Sequence, residues 1–297
     1  MPLHKVTDFL SEISAFFRKK DAHKAMYSIL DVIKWLRMNE STLFGMKSKC
    51  NNVYPLLQVF QALLLYPCFM VRNPYRFTES SLSGLLGCKK DVFYRFMSNP
   101  KINWRKSVYH LTLQLWSKIR LRSGRKEGTV CLIVDDTDYP KTGRRMENIG
   151  RVFSHVHHRC ILGFKALFLE AYRIYAQRWS LEVVFKEAKG LLGLGKCQAG
   201  NFASQIAATS LTALQYNILS LVKRFAAYET MGKLFEDVTK DSLELSVAER
   251  IWGVMQELVI AVAELFGLTD EDIYQAIINR EEDMKHICDI YRLKPAS

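Results

Sequence analysis

The chain has 297 residues, 49% of them hydrophobic and 24% charged, with a formal net charge of +12. That length suits one large domain or two ordinary ones, and the apolar content excludes a disordered tail. The charge is uneven: residues 229–297 hold 15 acids against 7 bases, which leaves +20 on residues 1–228. The basic excess peaks between Lys89 and Glu127, where 11 Lys or Arg meet two acids, and a field of that sign points to a polyanion. None of the seven cysteines forms a Cys-x-x-Cys pair, so reduced thiols in a cytoplasmic protein are expected, not zinc or disulfides. The N-terminus lacks the basic-then-apolar order of a secretory signal. Val59–Val71, interrupted by Gln61 and Pro67, is short for a bilayer span.

In chain order, residues 5–18 and 21–38 have amphipathic helical spacing, and Tyr54–Leu65 reads as an apolar helix ending near Pro67. Phe77–Cys88 reads as a short helix and a Gly-marked turn, followed by a second short helix, Lys89–Met97, bearing Lys89, Lys90, Tyr94 and Arg95. The order resembles a helix-turn-helix unit, with these bases placed to meet duplex DNA. Trp104–Leu121 is a further helix running into a basic linker. The pattern changes at Thr129. Thr129–Val134 is a β-branched apolar run expected to be a strand ending at Asp135 and Asp136, with a polar loop over Asp138–Gly150. Val152–Val156 is an expected edge strand, Cys160–Leu169 another strand, and a helix is expected from about Ala171 to Leu192. Ala203–Phe225, Leu234–Leu245 and Ile251–Phe266 read as helices, and Thr-Asp-Glu-Asp opens one more at Thr269. Three regions follow: 1–128, helical and basic; 129–225, α/β; 226–297, helical and acidic.

Two features carry chemistry. Asp135 and Asp136 stand at a strand end, where α/β proteins present ligands, and strand alternation sends the two carboxylates to opposite faces. On the next helix, Tyr175, Arg178, Glu182 and Lys189 fall at about 0, 300, 340 and 320 degrees, so all four project to one side. Carboxylates from two such elements can hold Mg²⁺ for phosphoryl transfer. His155, His157 and His158 suggest a metal cluster only weakly, because histidines beside phosphate are equally sensible.

The Tyr-(2)-Arg-(3)-Glu-(6)-Lys spacing, placed after a strand ending Asp-Asp-Thr, resembles the bacterial insertion-sequence DDE transposases that form DNA hairpins. The Asp135-to-Lys141 run is similar to variants in the same group, and the likeness covers residues 129–225 directly. It implies a ribonuclease-H-like core, with Asp136 as the first metal ligand, Asp135 as its alternative and Glu182 as the last acidic ligand. It implies Mg²⁺, or Mn²⁺, as the cofactor. By the same resemblance Tyr175, Arg178 and Lys189 hold the transposon end, and double-stranded DNA is the partner of a nucleoid-associated bacterial protein.

One part of that pattern is missing. Between Tyr139 and Phe235 there is no aspartate, and Glu170 is the only acid between Glu147 and Glu182. The family's second aspartate and its neighbouring strands have no counterpart, as an in-frame deletion between Leu169 and Tyr175 would produce. The resemblance therefore implies a truncated core of about three strands after a helical N-terminal region, with impaired catalysis. A non-catalytic DNA-binding remnant, self-paired or co-assembled with full-length transposase, is the alternative to an active enzyme. Ile251, Val254, Leu258, Val262 and Leu265 share a helical stripe suited to core packing or self-association.

Overall fold

The computed structural model describes residues 9–17, 24–48, 54–69, 74–80, 85–123, 131–172, 178–269 and 272. The N-terminal part is helical: α1 (Phe9–Phe16), α2 (Ala25–Trp35), α3 (Glu40–Phe44), α4 (Leu56–Leu65), α5 (Pro74–Thr78), α6 (Lys90–Met97) and α7 (Trp104–Ser123). Pro67 stops α4, and the chain tightens into a 3₁₀ turn over Tyr66–Phe69. Strands β1 (Cys131–Pro140), β2 (Gly150–Ser154) and β3 (Arg159–Tyr172) follow, then α8 (Arg178–Leu191), α9 (Phe202–Phe225) and α10 (Met231–Phe266). The architecture is mixed α/β, a small antiparallel sheet preceded by helices.

The main core is built around α9. Ala207, Leu211, Leu214, Ile218, Leu219, Leu221 and Val222 are all buried, and α2, α4, α6, α7, α8 and α10 pack around them. Fully burying one such Leu or Ile side chain is worth roughly 1.5–3 kcal/mol. Polar side chains on α9 are satisfied across these contacts: Gln215 Nε2 donates to the Leu63 carbonyl at 2.8 Å and Asn217 Nδ2 to Thr112 Oγ1 at 3.1 Å. Phe44, Phe60, Phe96 and Trp104 tie α3, α4, α6 and α7 together through edge-on contacts at 5.3–5.5 Å. This core extends from Phe9 to Leu245 and crosses residues 128 and 225.

The start of α2 is closed by a residue far away in sequence. Lys24 at its N-cap has no side chain able to accept from the helix. Asp241 of α10 takes that role, its Oδ2 accepting from the Met26 amide at 2.8 Å, and Lys24 pairs with Glu244 one turn further along.

The sheet has the order β1-β3-β2, all antiparallel. β1 does not stop at the aspartates. It continues through Asp135, Asp136 and Asp138 to Pro140, because β3 pairs with it without interruption from Cys131↔Tyr172 to Pro140↔Gly163. The expected loop therefore begins only after Pro140. Ala171 and Tyr172 are strand, not helix. Gly163 has a chemical reason to be glycine, since a Cβ there would lie 2.1 Å from the Tyr139 carbonyl oxygen.

One other expectation changes. The helices expected over Leu234–Leu245 and Ile251–Phe266 are one continuous 36-residue helix, α10, since Ser246–Arg250 contains neither Gly nor Pro to end it. Of the helix-turn-helix reading, α5 ends at Thr78, just inside the expected first helix, and residues 81–84 lie outside the described residues. At Thr269 the amide and hydroxyl both donate to Asp272 Oδ2, at 2.8 and 2.6 Å, while the rest of the helix expected there lies outside the described residues. Among the described residues no helix is long and apolar enough to cross a membrane.

Replacing Asp241 with Ala should cost about 1–2 kcal/mol in urea unfolding, the usual effect of losing a helix cap. Burial raises the Asp241 carboxyl above its ordinary 3.8, so the folded state binds its proton more readily than the unfolded state does. The wild type should therefore gain stability relative to Asp241→Asn as pH falls through the raised value towards 3.8. A flat difference across that range would contradict this assignment.

Candidate nucleic-acid interface

Strand alternation divides the carboxylates of β1 between two environments. Thr137 and Tyr139 are buried, and their β3 partners are Ala166 and Phe164. Phe164, Ala166 and Phe168 pack with Tyr139 against Phe185 and Ala188 of α8. This is the covered face, and Phe168 meets Phe185 edge-on at 5.2 Å. Asp135 pairs with Phe168 in register and so belongs to the same face, where it is exposed and accepts from the Asp136 amide at 2.9 Å.

Asp136 belongs to the opposite face. Its neighbours there are Val134, Asp138, Lys165 and Leu167, with Leu167 74% exposed. Lys165 Nζ lies 3.2 and 3.0 Å from the two oxygens of Asp136 and 3.9 Å from Asp138. The cation held by these carboxylates is thus the protein's own ammonium group.

Three members of the helical motif fall on α8. Arg178 is its first residue, Glu182 is exposed and Lys189 is half-buried. Phe185 lies about 60 degrees from Glu182 around the helix, so Glu182 borders the stripe that packs on the sheet. The structure consequently brings Glu182 to the side of Asp135 and leaves Asp136 on the other face. Tyr175 lies outside the described residues. Glu170 is a β3 residue opposite Ile133.

The remaining expected site residues are dispersed. His155, His157 and His158 lie in the tight turn joining β2 to β3, all exposed, with His158 at a left-handed φ of 49°. They are not on a strand, because β2 ends at Ser154, whose hydroxyl accepts from the His157 amide at 3.2 Å. Among the described residues no group of three His, Cys, Asp or Glu side chains could hold a metal ion. Asp136 lies on the sheet face opposite the one on which α8, with Glu182, packs.

The bases of α6 have a clear structural origin. Phe93 and Phe96 are buried, Phe93 against Phe77 at 5.9 Å and Phe96 against Phe44 and Trp104. With that face anchored, Lys89, Lys90, Tyr94 and Arg95 are exposed. Lys90 Nζ sits 4.7 Å from the centre of the Tyr75 ring, and the surface beside it is a cavity of about 400 Å³ lined by Tyr75, Thr78 and Gly87–Asp91. Asp91 shares the helix and the cavity with these bases, and from Val92 to Lys126 the sequence holds no further acid.

Lys141 is the residue whose role the sequence hid. It is buried, and its Nζ donates to the carbonyls of Gly195, at 2.7 Å, and Cys197. Beside it, Glu147 accepts from the Phe202 amide at 2.9 Å and donates its own amide to the Gly200 carbonyl at 2.8 Å. The loop after β1 thus pins the connection between α8 and α9 to the sheet. Gly195, at φ +80°, is pressed against the Tyr139 ring, where a Cβ would come within 2.9 Å. The only signal for Lys141 was its place in the Asp-Asp-Thr run, which suggested DNA chemistry and not a carbonyl clamp.

No family model matches the chain, and neither a curated protein nor a solved structure matches it.

Lys141→Met should lower stability by about 1–3 kcal/mol, the cost of leaving a buried carbonyl without its donor, and should speed amide exchange over residues 193–200. Burial depresses the Lys141 pKa below 10.5, so the folded state releases its proton first and wild-type stability rises with pH between the two values. The variant should lack that rise in urea titrations.

Proposed function

We propose that this chain is a transposase-derived, DNA-binding protein that does not cut DNA efficiently. The observation that carries the proposal is the placement of Asp136: Lys165 neutralises it on the face opposite Glu182. A divalent cation at Asp136 would have to displace a bound ammonium and would still find no carboxylate from α8. In this reading the sheet and α8 are a truncated ribonuclease-H-like core, supported by the order strand, strand, strand, helix around the Asp-Asp-Thr and Tyr-Arg-Glu-Lys motifs. Residues 129–225 are then the catalytic-domain remnant, 1–128 the DNA-binding region and 226–297 an acidic helical region. The protein would work in the bacterial cytoplasm on the ends of its source element, alone or co-assembled with full-length transposase.

DNA binding follows from charge and shape. Lys89, Lys90 and Arg95 project from an anchored helix and can each neutralise a phosphate, releasing condensed counterions. Tyr94 and Tyr75 beside them offer flat apolar surfaces to the sugar edge. Arg178 and Lys189 would add contacts at the element's end if a strand passes along α8.

Fluorescence anisotropy with labelled duplexes carrying the element ends tests the binding. Each of Lys89→Ala, Lys90→Ala and Arg95→Ala should weaken binding and reduce the slope of log K against log salt by about 1, while Glu182→Ala should bind as the wild type does. Incubation with Mg²⁺ or Mn²⁺ should yield no nicked product. Specific nicking abolished by both Asp136→Ala and Glu182→Ala would establish an active enzyme instead, and absence of any duplex binding would remove the proposal altogether.

A further inference from the structure

The distal half of α10 is the most extensive apolar surface on the described chain. Its first half is anchored by buried Met231, Leu234, Val238 and Leu245, whereas beyond Leu245 the one buried residue among those described is Ala263. Val247, Ile251, Val254, Leu258 and Leu265 are all exposed, Val254 to 70% and Leu265 to 81%. With exposed Ala261 they step by four and three residues in alternation, the a and d spacing of a coiled-coil seam sustained from Val247 to Leu265. The seam runs for about 30 Å along one side of the helix. Ala263 occupies the f position, on the opposite side, so the seam points away from the side on which the helix is covered.

The size of this surface decides what kind of partner it needs. The exposed apolar side chains of the distal half amount to on the order of 1,000 Å², against roughly 300–600 Å² for the largest patch on a typical monomer. Each partner in a standard-size interface contributes about 800 Å². Chemistry narrows the partner further. The a and d positions from Val247 to Leu265 carry no charge, and the bordering g positions, Arg250, Glu257 and Glu264, have a net negative charge that disfavours a nucleic acid. An uncharged linear seam is complementary to another copy of itself, as a two-fold symmetric interface requires.

We propose that two copies of this chain pair through α10, seam against seam. The pairing does not depend on the DNA-binding reading. It would set two basic helical bodies at the ends of a common helical stalk, each with its own α6.

Analytical ultracentrifugation of the full chain across a concentration series tests the pairing. The wild type should sediment as a reversible dimer. Ile251→Glu combined with Leu258→Glu should raise the dimer Kd at least 100-fold, because four carboxylates would enter an apolar seam. Ile260→Glu, exposed on another side of the same helix, should leave the Kd within threefold. Since all three residues are exposed, helical circular dichroism and the thermal midpoint should match the wild type. A wild-type chain that remains monomeric throughout overturns the proposal and assigns the seam to residues 270–297 or to another protein. A dimer that survives the double substitution overturns it equally.

Discussion

The rest of the fold depends on the need to bury α9 on every side. A helix whose apolar residues point all round cannot rest on a surface and must be enclosed. The helices before the sheet supply most of that enclosure, and the first half of α10 completes it. The same helix orients the sheet: Tyr216 packs beside Phe185 and Tyr139 while its hydroxyl donates to Glu187 of α8 at 2.7 Å. Both the basic face of α6 and the carboxylates of β1 are therefore held relative to one central helix, with Asp241 and the Lys141 clamp fixing segments that the core alone would leave free.

Among the described residues the sheet is covered on one side only, and this asymmetry governs its chemistry. Three strands with a single covering helix give four closely packed residues, Tyr139, Phe185, Ala188 and Leu194, and little else that is dry. On the uncovered face Asp136, Asp138 and Lys165 neutralise one another beside exposed Val134 and Leu167. An exposed ion pair of this kind contributes only about 0.2–1 kcal/mol to stability. Its consequence is chemical: the Asp136 carboxylate already has a cation beside it.

Much of the architecture could be read from the sequence because it rests on local signals. The apolar run of α9 and the β-branched run of β1 each announce themselves within a few residues. Boundaries were less legible. Asp135, Asp136 and Asp138 are poor strand formers taken singly, yet β3 pairs with all three, because an uninterrupted ladder outweighs local propensity. The break expected between Leu245 and Ile251 was absent for the converse reason, since nothing in Ser246–Arg250 resists a helix. Lys141 was recognisable only as part of a motif, and its two carbonyl partners lie 54 and 56 residues away.

The sequence by itself determined the periodicities: which residues share a helix face, that adjacent aspartates on a strand must part, and that a long basic stretch has few acids to offset it. Covalent geometry dictates these, whatever the surroundings. Only the tertiary structure decided which aspartate faces α8, because that depends on which side of the sheet the helix covers. It also decided that the stripe from Ile251 to Leu265 is exposed, where the sequence allowed either a core or an interface. Hydrophobic spacing says that a surface must be covered; only packing says whether the chain covers it or leaves it to a partner.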